Sequence, residues 1–147
     1  VKLIEPNKSI ADLGSGGGFP GLLLSITNPE SKITLIESSQ KKCYFLKSVI
    51  HTLKLKNTEV INKTLTEKND IGVFDIITAR AFAPIEKIMN LTKNNTHRQT
   101  IYYLLKGKDK KTKEELKVIN QKKHKCEIIN LNNKNFDRSL VVIKQNE

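Results

Sequence analysis

Residues 11–21 read ADLGSGGGFPG, with five glycines in the eight positions from Gly14 to Gly21. Gly14, Gly16 and Gly18 stand in a G-x-G-x-G spacing. Glycine admits positive φ and lets a ligand come close to the main chain. A helix opening at Pro20 would offer its free N–H groups to the same space. Two cofactors suit such a loop. A dinucleotide site reads G-x-G-x-x-G, its third glycine packing helix on strand. From Gly14 that third position is Phe19, which breaks the pattern, whereas from Gly16 the residues Gly18 and Gly21 fit it. Asp12 in turn completes D-x-G-x-G-x-G. S-adenosylmethionine carries a sulfonium and an ammonium but no phosphate, so an acidic residue at the strand end attracts it and repels a pyrophosphate. The residues favour the methyl donor and leave the dinucleotide as the weaker alternative. Glu37, 23 residues after Gly14, is placed to accept both ribose hydroxyls of a nucleoside, a device common to both cofactors.

Beyond this loop the candidates are basic. Arg80 ends a strand beside the position where ligands bind in open α/β sheets and can meet a carboxylate or a phosphate. Lys106 is similarly placed, and Lys41 and Lys42 lie early in a helix on its polar face. All three are candidates for RNA phosphate. From Lys106 to Lys125 there are nine lysines against Asp109, Glu114 and Glu115. Such a patch suits phosphate, the alternative being a plain solvated helix face with no partner. Cys43 and Cys126 read as core residues, Asp75 as structural, and the three scattered histidines have no assigned role. No catalytic dyad is visible.

These residues need a scaffold of alternating strands and helices. The pattern predicts strands over 9–13, 32–37, 58–62, 73–79 and 100–106, and two closing strands over 125–131 and 139–144 joined by the polar turn NNKNFDR. Helices are expected over 20–27, from a Ser38 or Ser39 cap to His51 or Leu53, from Pro84 to Thr92, and over 110–122. A short turn or helix is expected over 64–70. This order means an α/β, Rossmann-like fold with helices on both faces of a mainly parallel seven-stranded sheet and an antiparallel C-terminal hairpin. It is the layout of class I methyltransferases.

The segments ADLGSGGGFPGLLLSI, LIESSQKKCYFLKSV, FDIITARAFAP, YYLLKGK and SLVVIK, in this order and spacing, resemble the small-subunit ribosomal RNA methyltransferase G family, also called the glucose-inhibited division protein B family. The resemblance covers essentially the whole chain, and the G-F-P-G and R-A-F-A-P segments are its most specific parts. It implies methylation of N7 of a guanine in 16S ribosomal RNA with S-adenosylmethionine as donor. It also implies that Gly14 and Phe19 line the donor pocket, to which the loop's own residues add Asp12 and Gly16, that Glu37 holds the ribose, that Leu65 and Thr66 flank the adenine, and that Arg80 is the family's arginine after the fourth strand. The family's R-x-E pattern is replaced here by Thr64-Leu65-Thr66 followed by Glu67. The family's N-terminal helical region is expected to be missing, in keeping with a chain that starts at Val1 and has only Met89 as methionine. Guanine N7 already carries a lone pair on its major-groove edge, so the reaction needs no general base.

Composition agrees with this setting. The chain has 147 residues, enough for one domain over 1–147, and a formal net charge of +11. Of its 26 basic residues 23 are lysine, which gives a diffuse field more than forked, base-reading contacts. Nucleic acid is the first candidate partner: 16S ribosomal RNA or the small ribosomal subunit. No apolar run approaches the ~20 residues of a membrane span, and no residue spacing suits a metal. A cytoplasmic monomer is expected. The alternatives are a methyltransferase acting on another RNA or a protein, a non-catalytic RNA-binding remnant, and, last, a small NAD-dependent oxidoreductase.

Overall fold

A computed structural model describes residues 4–131 and 137–146. Its elements are β1 (Ser9–Leu13), α1 (Gly21–Thr27), β2 (Lys32–Glu37), α2 (Gln40–Thr52), β3 (Thr58–Asn62), β4 (Phe74–Arg80), α3 (Ile85–Thr92), β5 (Thr96–Lys106), α4 (Asp109–Lys117), β6 (His124–Asn130) and β7 (Ser139–Gln145), with a single 3-10 turn at Lys93–Asn95 before β5. They build one seven-stranded sheet in the order β3-β2-β1-β4-β5-β7-β6. β1 to β5 run parallel, and β7 is antiparallel to both of its neighbours. This is the expected Rossmann-like fold with its antiparallel C-terminal strand. Most of the polar turn expected over 132–138 lies outside the described residues.

Alternation along the strands feeds a core on each face of the sheet. Ala11, Leu13, Ile77, Ala79, Tyr102 and Leu104 pack with Ile85 and Ile88 of α3 and Leu116 of α4. Ile10, Ile33, Leu35 and Ile76 pack with Leu46 of α2 and Leu22 of α1 on the other. Cys43 is buried and Cys126 partly so, as expected of core residues. Asp75 is structural: it accepts bonds from the N–H and hydroxyl of Ser9 at 2.8 Å. His97, which carried no expected role, reaches the same carboxylate at 3.0 Å.

Two local expectations need correction. α4 ends at Lys117, not near 122, because Asn120 turns the chain: its side chain accepts from the Lys122 N–H and its carbonyl from Lys123 and His124. The turn lets Ile119 fold back into the core. β5 begins at Thr96 instead of 100, with an irregular register between Phe74 and Ile76 of β4. Its first four residues, THRQ, are polar and carry no strand pattern. Of the short turn or helix expected over 64–70, the chain takes the turn, which Thr66 and Asn69 close by mutual side-chain to main-chain bonds.

Candidate active site

The carboxyl ends of β1, β2, β4 and β5 lie side by side in the sheet, and they carry Asp12, the glycine loop, Glu37, Arg80 and Lys106. The β1–α1 loop is bound to β2 by main-chain bonds from Gly14 and Ser15 to the Ile36 carbonyl at 2.8 and 3.1 Å. Gly16 has φ +53, and its N–H donates to Glu37 Oε2 at 2.8 Å. The other oxygen of Glu37 accepts from the Ser39 N–H, also at 2.8 Å. Glu37 therefore clasps the loop and the start of α2 while keeping lone pairs for a ligand. Burial pushes its pKa up, but the Ser39 and Gly16 N–H groups and the Lys42 charge outweigh this and hold it below the ordinary carboxylate range. Beside Gly17 the loop is open, with no atom within 4 Å of where a Cβ would stand.

Asp12 is placed differently from Glu37. It is 1% exposed, and its Oδ2 accepts from the Gly21 N–H at 3.1 Å, under the start of α1. Its Oδ1 is buried, with no hydrogen-bond partner among the described residues. Burial raises its pKa to about 7, against the opposing pull of Ser15, the Gly21 N–H and the Arg80 charge. Gly21 must be glycine because a Cβ there would come within 2.6 Å of Asp12 Oδ2 and strike Leu35. So Gly21 packs helix on strand, the role of the third dinucleotide glycine, and glycine spacing alone does not separate the two cofactors. Asp12 does, because a carboxylate beneath the loop disfavours a pyrophosphate, whereas a ribose-holding Glu37 would serve either cofactor.

Arg80, at the end of β4, is exposed, and its guanidinium carbon lies 5.0 Å from the centroid of the Phe19 ring. Phe19 is 45% exposed, so this cation–π contact caps the loop from the solvent side. After Arg80 the chain turns through Ala81, at φ +50, and Phe82 brings its ring against Gly14. Gly14 has φ +63, and any Cβ on it would run into that ring.

Lys106 departs from expectation. A free amine facing phosphate was expected, but Nζ donates to the Ala83 carbonyl at 2.8 Å and pairs with Glu115 Oε2 at 2.7 Å. Lys41 and Lys42 are exposed in the first turn of α2, next to the Ser39 cap. Leu65 is partly buried against the α3 and α4 core. The Thr66 hydroxyl bonds within its own turn, which Asn69 ties to the Leu91 carbonyl near the far end of α3. Among the described residues no hydrogen bond joins Thr66 to the glycine loop. Sequence reasoning missed Phe82, Glu115 and Asn62, whose amide donates to the Glu37 and Ser38 carbonyls at 3.0 and 2.9 Å. Asn62, ending a strand opposite Glu37, was the one with a local signal.

The loop, an open main chain flanked by two carboxylates, fits a positively charged nucleoside. Among the described residues no three His, Cys, Asp or Glu side chains form a metal cage, and no helix is long and apolar enough to cross a membrane. Known proteins resemble this chain in sequence and in fold. The ribosomal RNA small subunit methyltransferase G of Mesomycoplasma hyopneumoniae strain J is 40% identical over 136 residues, covering 92% of this chain and 64% of its own. That of Mycoplasma capricolum is 40% identical over 125 residues, covering 78% and 54%. The chain thus spans between half and two thirds of the length of these curated relatives. In fold, it matches the crystal structure of the Bacillus subtilis M1A22 tRNA methyltransferase TrmK with a TM-score of 0.78 at 14% identity, covering 99% of this chain and 63% of that one. The profile of the family described as GidB, rRNA small subunit methyltransferase G, matches residues 1–142, and the chain belongs to that family.

Proposed function

We propose that the protein transfers the methyl group of S-adenosylmethionine to N7 of a guanine in 16S ribosomal RNA. The observation that carries this reading is the open glycine main chain clasped by Glu37 beside the buried Asp12, in a chain of this family. Bound S-adenosylmethionine supplies an electrophilic methyl on a sulfonium. Glu37 holds the ribose hydroxyls with its remaining lone pairs. Gly14, Gly16 and the exposed Phe19 line the donor's path along the loop. Asp12 acts from beneath, favouring the donor's positive charge while anchoring α1. Leu65 is the candidate for an apolar contact with the adenine. Arg80, stacked on Phe19, holds the donor's carboxylate or an RNA phosphate. Guanine N7 needs no deprotonation, so these residues bind and align, and alignment with a dry electrostatic setting supplies the rate.

Lys41 and Lys42, with the lysines of α4, offer phosphate contacts to the RNA or the assembled small subunit. Binding should therefore weaken steeply with salt. We assign the protein to the cytoplasm, as a monomer. The test is transfer of labelled methyl from S-adenosylmethionine to 16S ribosomal RNA, naked and in small subunits, from cells lacking the modification. Labelled 7-methylguanosine is the expected product. Donor binding with label on another nucleoside, or on protein, would move the substrate assignment. Absence of both donor binding and transfer would overturn the reading and favour a non-catalytic RNA-binding role.

A further inference from the structure

We infer that Lys106 and Glu115 are positioning residues that hold the 81–84 loop in place at the methyl-accepting side of the site. Both side chains are largely buried, at 13% and 14% exposure, and they pair with each other. Their contacts reach three elements. Lys106, at the end of β5, donates to the Ala83 carbonyl in the loop at 2.8 Å and to Glu115 of α4 at 2.7 Å. The same Glu115 oxygen accepts from the Ile85 N–H at 3.0 Å. Ile85 is the first residue of α3, and Pro84 before it provides no side-chain cap. A glutamate 30 residues downstream thus serves as that helix's cap, and the lysine neutralises it.

The loop needs such external hold. Ala81 sits at φ +50, a conformation costly for a residue with a Cβ and kept only where the surroundings enforce it. The next residue, Phe82, lies against Gly14. Removing the lysine would leave a buried carboxylate without its counter-charge and the Ala83 carbonyl without a donor. The sheet order β2-β1-β4 says which side of the site this loop borders. If Glu37 at the end of β2 holds the ribose, the reacting end of the donor points toward β1 and β4. The loop after β4 then faces the incoming base. This catalytic consequence rests on the methyl-transfer reading; the structural part does not.

The experiment compares Lys106→Met and Glu115→Gln with the unaltered chain and with Lys32→Gln, which breaks an exposed ion pair with Glu59 away from the site. Hydrogen exchange is read over residues 80–88, together with donor binding and turnover on 16S ribosomal RNA. Lys106→Met should speed exchange at Ile85 and its neighbours by at least ~10-fold while amides of β1 and β2 keep their protection. It should lower kcat by at least ~10-fold and move donor Kd and the KM for RNA by less than ~3-fold. Glu115→Gln, which keeps an acceptor for Ile85, should give an intermediate effect and Lys32→Gln none. Unchanged exchange in both variants overturns the inference whatever the activity. So does a raised KM for RNA with kcat preserved, which would return Lys106 to a phosphate contact. Faster local exchange in a protein that methylates no RNA would keep the positioning role and remove the methyl-transfer reading alone.

Discussion

The loops after β1 and β4 meet where Phe82 lies against Gly14, yet they keep their shapes by different means. In the β1 loop, three glycines at positive φ make the turn from within. Glu37 and the Ile36 carbonyl, both on the adjacent strand, then stitch it down. In the β4 loop the one residue at positive φ is an alanine, and the hold comes from Lys106 and Glu115, 23 and 30 residues away from the groups they bind. The first loop is a local solution with a short-range clasp. The second is stable only once β5 and α4 have packed. A ligand cradle can be encoded where it stands, whereas the surface facing it depends on distant residues.

The sharpest way to break this contrast is Gly14→Val. The substitution forces a branched Cβ into positive φ and into the Phe82 ring, so both loops must move at once. Donor affinity should fall by at least ~100-fold in titration calorimetry, and thermal stability should drop by a few kcal/mol.

Asp12→Asn probes the buried half of the carboxylate pair. The Asp12 pKa of about 7 lies above its unfolded value, so the folded state binds the extra proton between about pH 4 and 7. Stability from this group is therefore lost as pH rises through that window. The asparagine variant should match the parent near pH 4 and exceed it above pH 7 by up to a few kcal/mol in urea unfolding. A parallel pH profile would refute the assignment.

Glu37→Gln tests the opposite case, a carboxylate held below its ordinary pKa. Its contribution to stability is present above about pH 4.5 and lost as pH falls through the folded value. The variant should flatten this acid limb and weaken donor binding by about 10-fold, or ~1.4 kcal/mol. Arg80→Ala, which removes the contact to Phe19, should cost a similar or smaller factor, about 5- to 10-fold in kcat/KM. An unchanged kcat/KM would leave Arg80 a surface residue.

Much of this architecture was readable before folding. The strands at 9–13, 32–37 and 58–62 and the helix from the Ser39 cap to Thr52 follow from apolar periodicity and capping residues. The polar start of β5 did not read as a strand, because its pairing with β4 is imposed by sheet position and not by side-chain pattern. The pairing of Lys106 was not readable for a related reason. A lysine after a strand looks like a free charge until the fold shows Glu115 beside it.

The sequence by itself determined the glycine loop, the two carboxylates at strand ends and the alternation that makes a mainly parallel sheet. Each depends on φ preferences or on side-chain periods within a few residues. Only the tertiary structure decided that Asp12 is sealed beneath α1 while Glu37 clasps the loop, that Gly21 must lack a side chain, and that Lys106 is tied to Ala83 and Glu115. Those outcomes depend on burial and on partners brought from 9 to 30 residues away. Desolvation and pairing act across space, so spacing along the chain could name the charged groups but not assign their partners.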